Sequence, residues 1–135
     1  VNYWLVKTEP EEYSWDDFTR DGSTFWDGVR NYQARNNLQA MQNGDVVLFY
    51  HSGDERAVVG TATVSKTAYQ DPTTDETAWV CVDLKKGKRF KNPIALTAIK
   101  ATPALANMAL LKQARLSVVP VLQTEFDVID AMGRV

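Results

Sequence analysis

Short runs of β-branched and aromatic residues alternate along this chain with short segments of helical period. Tyr3-Trp4-Leu5-Val6-Lys7-Thr8 reads as a first strand, stopped by Glu9-Pro10, since proline pushes its predecessor away from helix and lacks a backbone donor. Ser14-Trp15-Asp16-Asp17 has the spacing of a capping box, Ser14 accepting from the N3 amide and Asp17 reaching back, so a short helix opens there and Gly22 ends it. Thr24–Asn31 has no clean period. Over Tyr32–Met41, Ala34, Leu38 and Met41 recur at helical spacing, and Asn43-Gly44-Asp45 is a turn signal. Val46–His51 and Ala57–Val64 read as paired strands around Ser52-Gly53-Asp54, with Trp79–Leu84 a further β-rich run.

Lys85–Lys91 holds five basic residues in seven, interrupted by Gly87 and Phe90, and predicts a hairpin or loop reaching into solvent. Thr102-Pro103 predicts a helix start, with Leu105, Met108 and Leu111 on one face. Leu116–Val121 reads as a late strand interrupted by Pro120. Thr124-Glu125-Phe126-Asp127 begins a closing helix that buries Phe126, Ile129 and Met132 and ends at Gly133. Non-sequential strands with short helices between them predict an α+β fold built on a curled sheet or small barrel.

The length, 135 residues, suits one core, and no repeat or linker divides it, so residues 1–135 are expected to form a single domain. Hydrophobic residues at 44% and charged residues at 24% exclude a disordered or collagenous chain. The longest apolar stretches, Val46–Tyr50 and Val118–Leu122, fall far short of the roughly 20 residues that span a bilayer, so no membrane partner is expected. Val1-Asn2-Tyr3-Trp4 lacks the pattern of a secretory leader, and Cys81 stands alone, which excludes an internal disulfide and fits a reducing compartment. An intracellular location is expected, cytoplasmic, or nuclear in a eukaryote. One His and one Cys leave a zinc site dependent on carboxylates, so neither a metal nor a cofactor is expected. The net charge of −2 and pI near 5.4 are not those of a protein that coats nucleic acid through charge, so any such partner is held locally.

Candidate chemistry concentrates in Trp26-Asp27-Gly28-Val29-Arg30-Asn31-Tyr32-Gln33-Ala34-Arg35-Asn36. A planar base wants an aromatic face, amides for its edge and guanidinium groups for phosphate, and all three are here. Arg30 and Arg35, five apart, diverge by roughly 140° on a helix and need not share a target. The plainer alternative makes Trp26 a core anchor, Gly28 a turn residue and the polar groups caps of the following helix. His51-Ser52 is the one Ser–His neighbour pair, but strand neighbours point to opposite faces, which favours a structural histidine over a nucleophile pair. Glu9, Glu11 and Glu12 offer carboxylates, beside Pro10 more readily a solvated turn. Lys85, Lys86, Lys88 and Arg89 are candidate phosphate contacts, or equally a charged guard on an edge strand. Dinucleotide, Walker and C-x-x-C patterns are absent.

Tyr3–Pro10, Trp26–Asn36 and Phe49-Tyr50-His51-Ser52 together resemble the EVE domain, and the resemblance runs essentially from end to end, with Thr8 where members often have Ser. It implies a PUA-like fold, a small curled β-barrel flanked by short helices and related to the YTH and ASCH domains. It further implies a binding module, rather than an enzyme, that reads a modified base in DNA or RNA; a monomer is expected. Carried over by position, the pocket would comprise Lys7, Thr8, Trp26, Val29, Arg30, Asn31, Arg35, His51 and Ser52, with Leu116 to Val121, including Pro120, completing it. The rival readings are an ASCH-like hydrolase or nuclease working through His51, and a module for a peptide or small metabolite.

Overall fold

The computed structural model describes residues 1–134. Six strands and five helices follow in the order β1 (Tyr3–Thr8), α1 (Trp15–Asp21), β2 (Ser23–Phe25), α2 (Tyr32–Ala40), β3 (Val46–His51), β4 (Ala57–Gln70), β5 (Val80–Ala95), α3 (Leu96–Lys100), a 3₁₀ turn (Pro103–Leu105), α4 (Ala109–Lys112), β6 (Val118–Val121) and α5 (Gln123–Arg134). They form one mixed sheet in the order β2-β5-β4-β3-β1-β6. β1 and β3 pair in parallel, which requires a crossover, and α1, β2 and α2 supply it. Every other pairing is antiparallel. β2 and β6 end the strand order without pairing with each other, so the sheet stays open between them.

Local signals explain several elements. The Ser14 side chain accepts from the Asp17 amide while the Asp17 carboxylate accepts from the Ser14 amide, and Gly22, at φ +75°, terminates α1. Phe49 on β3 gathers the aromatic core. It stacks on Phe18 at 5.2 Å and meets Trp15 and Trp26 edge-on at 5.3 and 5.5 Å, geometries that favour aromatic contact beyond area burial. Pro120 lies on β6, an edge strand that has no inner ladder to lose.

The structure corrects five expectations. Lys85–Lys91 is neither hairpin nor loop but the middle of the sixteen-residue β5. Its backbone pairs there with β2 through Ser23 and with β4 through Gly60 to Thr63, while Leu84 and Phe90 are buried, so a charged composition coexists with a fully engaged ladder. Repeated register shifts along β4 and β5 are bulges that add twist and coil the sheet. The helix expected after Pro103 divides at Met108, whose extended backbone separates the 3₁₀ turn from α4. The break allows Leu105, Met108 and Leu110 all to be buried, whereas Leu105 and Leu110 would lie about 140° apart on a straight helix. Leu116 precedes β6 rather than starting it.

Finally, Gly133 does not end α5 but lies within it, where a Cβ would sit 2.5 Å from the Phe90 ring. Phe126 and Met132 are only partly buried, and the Glu125 carboxylate is instead tucked in, accepting from the Leu122 amide. Among the described residues, no helix is long and apolar enough to cross a membrane.

Candidate functional site

A cavity of 650 Å³ opens where the two ends of the sheet face each other. Thr24 and Phe25 of β2 form one side and Ala114, Arg115 and Ser117, entering β6, the other; Lys7 and Thr8, at the end of β1, and Ser52, just past β3, form the floor. The opposite ends of one six-stranded sheet thus line the same space, which requires the sheet to curl almost into a barrel. The Lys7 amide donates to Ser117 O and the Ser52 amide to Thr8 O, each at 2.9 Å, so the floor is tied into the β1 ladder.

The remaining wall is the loop from Trp26 to Arg30. Its shape is set by Asp71, a residue from the β4–β5 connection with no exposed surface. One Asp71 oxygen accepts from the Gly28 amide at 2.9 Å and from Arg30 Nη1 at 3.0 Å; the other accepts from the Thr73 amide and hydroxyl. Gly28 holds φ at +79°, a left-handed conformation that a side chain would strain. Burial by itself would raise the Asp71 pKa, but the Thr73 hydroxyl, the Gly28 and Thr73 amides and the Arg30 guanidinium together hold it down to about 2.

Six of the residues expected from the sequence line this cavity: Lys7, Thr8, Trp26, Val29, Arg30 and Ser52. Trp26 is 8% exposed, its ring packed edge-on against Phe49 and Tyr13, so it is a core anchor that lends its outer part to the wall. Lys7 donates from Nζ to Ala114 O at 2.8 Å, and burial lowers its pKa. Other expected residues lie outside the cavity wall. Asn31 caps α2, its side-chain oxygen accepting from the Ala34 amide at 3.0 Å. Arg35 turns away to Ala78 O and Asn36 and lies over the Tyr32 ring. Leu116 is buried beneath its loop, and Pro120 faces two smaller hollows beside β6. Lys85, Lys86, Lys88 and Arg89 sit on β5, with Lys86 over the Trp15 ring and Arg89 within 3.6 Å of Asp16.

His51 is committed to the fold. Its Nε2 accepts from the Trp15 amide at 3.0 Å, which places the ring proton on Nδ1, 2.9 Å from a Glu55 carboxylate oxygen. Both nitrogens therefore have protein partners, and the ring holds the first turn of α1 to the end of β3. Among the described residues, no group of three or more His, Cys, Asp or Glu is arranged to hold a metal ion.

Tyr13, Arg115 and Ser117 carry no distinguishing local signal; Asp27 lies in the Trp26–Asn36 segment without being singled out there, and Glu12 reads as part of a solvated turn. That turn is built by the Glu12 and Tyr13 amides donating to Glu9 O, and it delivers Glu9 and Glu12 to the rim. Asp71-Pro72-Thr73 is the one sequence hint for the buried acid, an Asx-type turn whose carboxylate bonds two residues on. The cavity thus combines carboxylate acceptors at Glu9, Glu12 and Asp27 with donors at Lys7, Arg115 and Ser52, the Thr8 hydroxyl donating to Tyr13 O at 3.0 Å, around apolar patches from Phe25, Trp26 and Val29. A mainly polar hollow with apolar patches against which a ring can lie is suited to a small planar polar molecule.

The model of the EVE domain family matches residues 2–132. Thymocyte nuclear protein 1 of Gallus gallus is 36% identical over 159 aligned residues, covering 93% of this chain and 66% of that protein; its Homo sapiens counterpart is also 36% identical, covering 93% and 71%. The chain thus spans about two thirds of the length of these relatives. A crystal structure of an Agrobacterium tumefaciens protein superposes with a TM-score of 0.96 at 41% identity, covering 98% of this chain and 93% of that one. The crystal structure of human THYN1 in complex with DNA containing 5-methylcytosine superposes at 0.91 with 33% identity, covering 98% of both chains. These neighbours share the α+β, PUA-like architecture, here with the sheet not fully closed.

Proposed function

The chain belongs to the EVE domain family, and from that membership we propose that it is a nucleic-acid-binding module that reads one modified nucleobase in the seam cavity. The carrying observation is the cavity itself: 650 Å³ at the open edge of the sheet, with Trp26 in its wall and both carboxylates and hydrogen-bond donors on its rim. The solved human relative in complex with DNA containing 5-methylcytosine supports this reading. The base is seated against Trp26 and Val29, and its polar edge is read by Asp27, Glu12 and Lys7 rather than by Asn31, whose side-chain oxygen already caps α2. Carboxylates accept from an exocyclic amine and an ammonium or hydroxyl donates to a ring nitrogen or carbonyl, so the rim matches a base edge carrying both. We take the module to be a single monomeric domain acting inside the cell, in the cytoplasm or in a nucleus. Reading is favoured over hydrolysis because His51 has both ring nitrogens engaged away from the cavity wall.

The test is a calorimetric titration of matched single strands, with and without one methylated or hydroxymethylated base, in DNA and in RNA. Extrusion costs a few kcal/mol from a duplex and little from a single strand, so single strands should bind more tightly. Contact with an aromatic face contributes about 1–3 kcal/mol per base, so Trp26→Ala should weaken selective binding about 5- to 150-fold, with Trp26→Phe showing what packing alone requires. Equal affinity for modified and unmodified strands would overturn the proposal.

A further inference from the structure

The seam cavity does not end at the segment that enters β6. Ala114 and Arg115 line it on one side and, on the other, line an adjoining open groove together with Asn31, Gln33, Lys112 and Gln113. Lys112 and Gln113 then continue into a further hollow beside β6. The seam cavity mixes both signs, Glu9, Glu12 and Asp27 with Lys7, Arg30 and Arg115, and Glu125 lines the hollow beyond, whereas the groove between them has two cations and three amide side chains and not one carboxylate among its lining residues. Arg115 and Lys112 are exposed, and neither takes part in an ion pair among the described residues. The groove is also preformed. Gln33 donates to Gln113 at 3.0 Å, Lys7 donates to Ala114 O, and Asn37 donates to Val118 O at 2.7 Å, pinning this segment to α2 and β1.

We infer that this groove carries the phosphodiester backbone flanking the base held in the seam cavity, with Arg115 and Lys112 as phosphate contacts and Gln33 and Gln113 as neutral donors beside them. The inference rests on the base-reading proposal and adds the course of the strand. A polyanion is drawn to unpaired cations and repelled by carboxylates, and the groove leading from the cavity past Arg115 offers the first without the second. The basic run on β5 is the competing track, but Arg89 is near Asp16, and Lys86 lies over Trp15.

The experiment uses the whole chain and two probes, a short DNA single strand carrying one central 5-methylcytosine and the free nucleoside 5-methyl-2′-deoxycytidine. Removing one cation that touches a single-strand phosphate flattens the dependence of log affinity on log salt by about 0.7, so the double variant Arg115→Gln, Lys112→Gln should lower the slope by about 1.4. Strand affinity at low salt should fall about tenfold; Lys112→Gln alone, at a residue outside the seam cavity, should lower the slope by about 0.7 with nucleoside binding unchanged, and the Lys85→Gln, Lys88→Gln variant should leave the slope intact. A slope that survives the groove variant and falls in the β5 variant overturns the inference while leaving the base reading standing. Strand binding that depends on the groove cations, with no nucleoside binding, supports the groove and overturns the base reading. Failure of the wild-type chain to bind the strand overturns both.

Discussion

Replacing Asp71 by Asn tests whether one buried carboxylate sets the shape of the cavity wall. The carboxylate is fully buried and accepts four hydrogen bonds, from the Gly28 amide, Arg30 Nη1, and the Thr73 amide and hydroxyl. Asparagine has nearly the same shape, but its amide nitrogen faces donors at one of these two positions, so two of the four bonds disappear and a donor meets donors. Depression of the Asp71 pKa from 3.8 to about 2 corresponds to about 2.5 kcal/mol at about 1.4 kcal/mol per unit. Arg30 is 40% exposed and regains water when its partner is neutralised, so its share is small and the loss belongs mainly to the buried amides.

The expected destabilisation is therefore about 2 kcal/mol near neutral pH, read from urea denaturation. Because the folded pKa lies below the unfolded one, the contribution is complete above about pH 5, declines as the pH falls through the unfolded value, and is gone below about pH 2. The gap in stability between wild type and Asp71→Asn should accordingly narrow over that window, and binding in the cavity should weaken because Trp26 and Arg30 lie on the loop that Asp71 holds. A variant within about 0.5 kcal/mol of wild type at pH 7, or a gap that is the same at pH 7 and pH 3, would mean that the Asp71 charge does not brace this loop.

Two further substitutions address the roles assigned to His51 and Gly133. His51→Ala leaves the Trp15 amide and Glu55 without their partner and should cost about 1–3 kcal/mol in denaturation while base binding changes little; weakened binding at unchanged stability would instead return His51 to the site. Gly133→Ala would gain roughly 1 kcal/mol of helix propensity in an unpacked helix, but its Cβ would come within 2.5 Å of the Phe90 ring, so the melting temperature should fall by an amount corresponding to about 1–3 kcal/mol. A melting temperature equal to or above that of wild type would show that α5 does not approach β5 so closely.

The elements that local chemistry specifies are legible in the sequence. The capping box at Ser14, the bounds of β1 and β3 and the turn at Gly44 all follow from propensity or hydrogen bonds a few residues long. The resemblance to the EVE domain rests on side chains contiguous in the chain, and for that reason it too can be read from residue order alone. By contrast, the β5 run reads as a solvated loop because its composition says solvent. Only pairing with β2 and β4 reveals a strand, and a ladder bond between residues far apart in the chain leaves no trace in a local window.

The cavity divides in the same way. Trp26, Val29 and Arg30 are close in sequence and share the wall that their motif suggests, whereas Asn31 turns to cap α2 from an extended backbone and Arg35 turns to Ala78 and Asn36 because a helix rotates successive side chains by about 100°. Arg115 carries no signal where it stands, and Asp71 carries only that of a local turn with Pro72 and Thr73. Their roles come into being when the sheet curls, bringing the β4–β5 connection under the loop of Trp26 and the entry to β6 against β2. The elements, the family and part of one wall depend on neighbours along the chain, so the order of residues is enough to set them. Which carboxylate is buried, which cations stay unpaired and where the sheet stays open are fixed only by folding, because electrostatics and enclosure depend on distance in space.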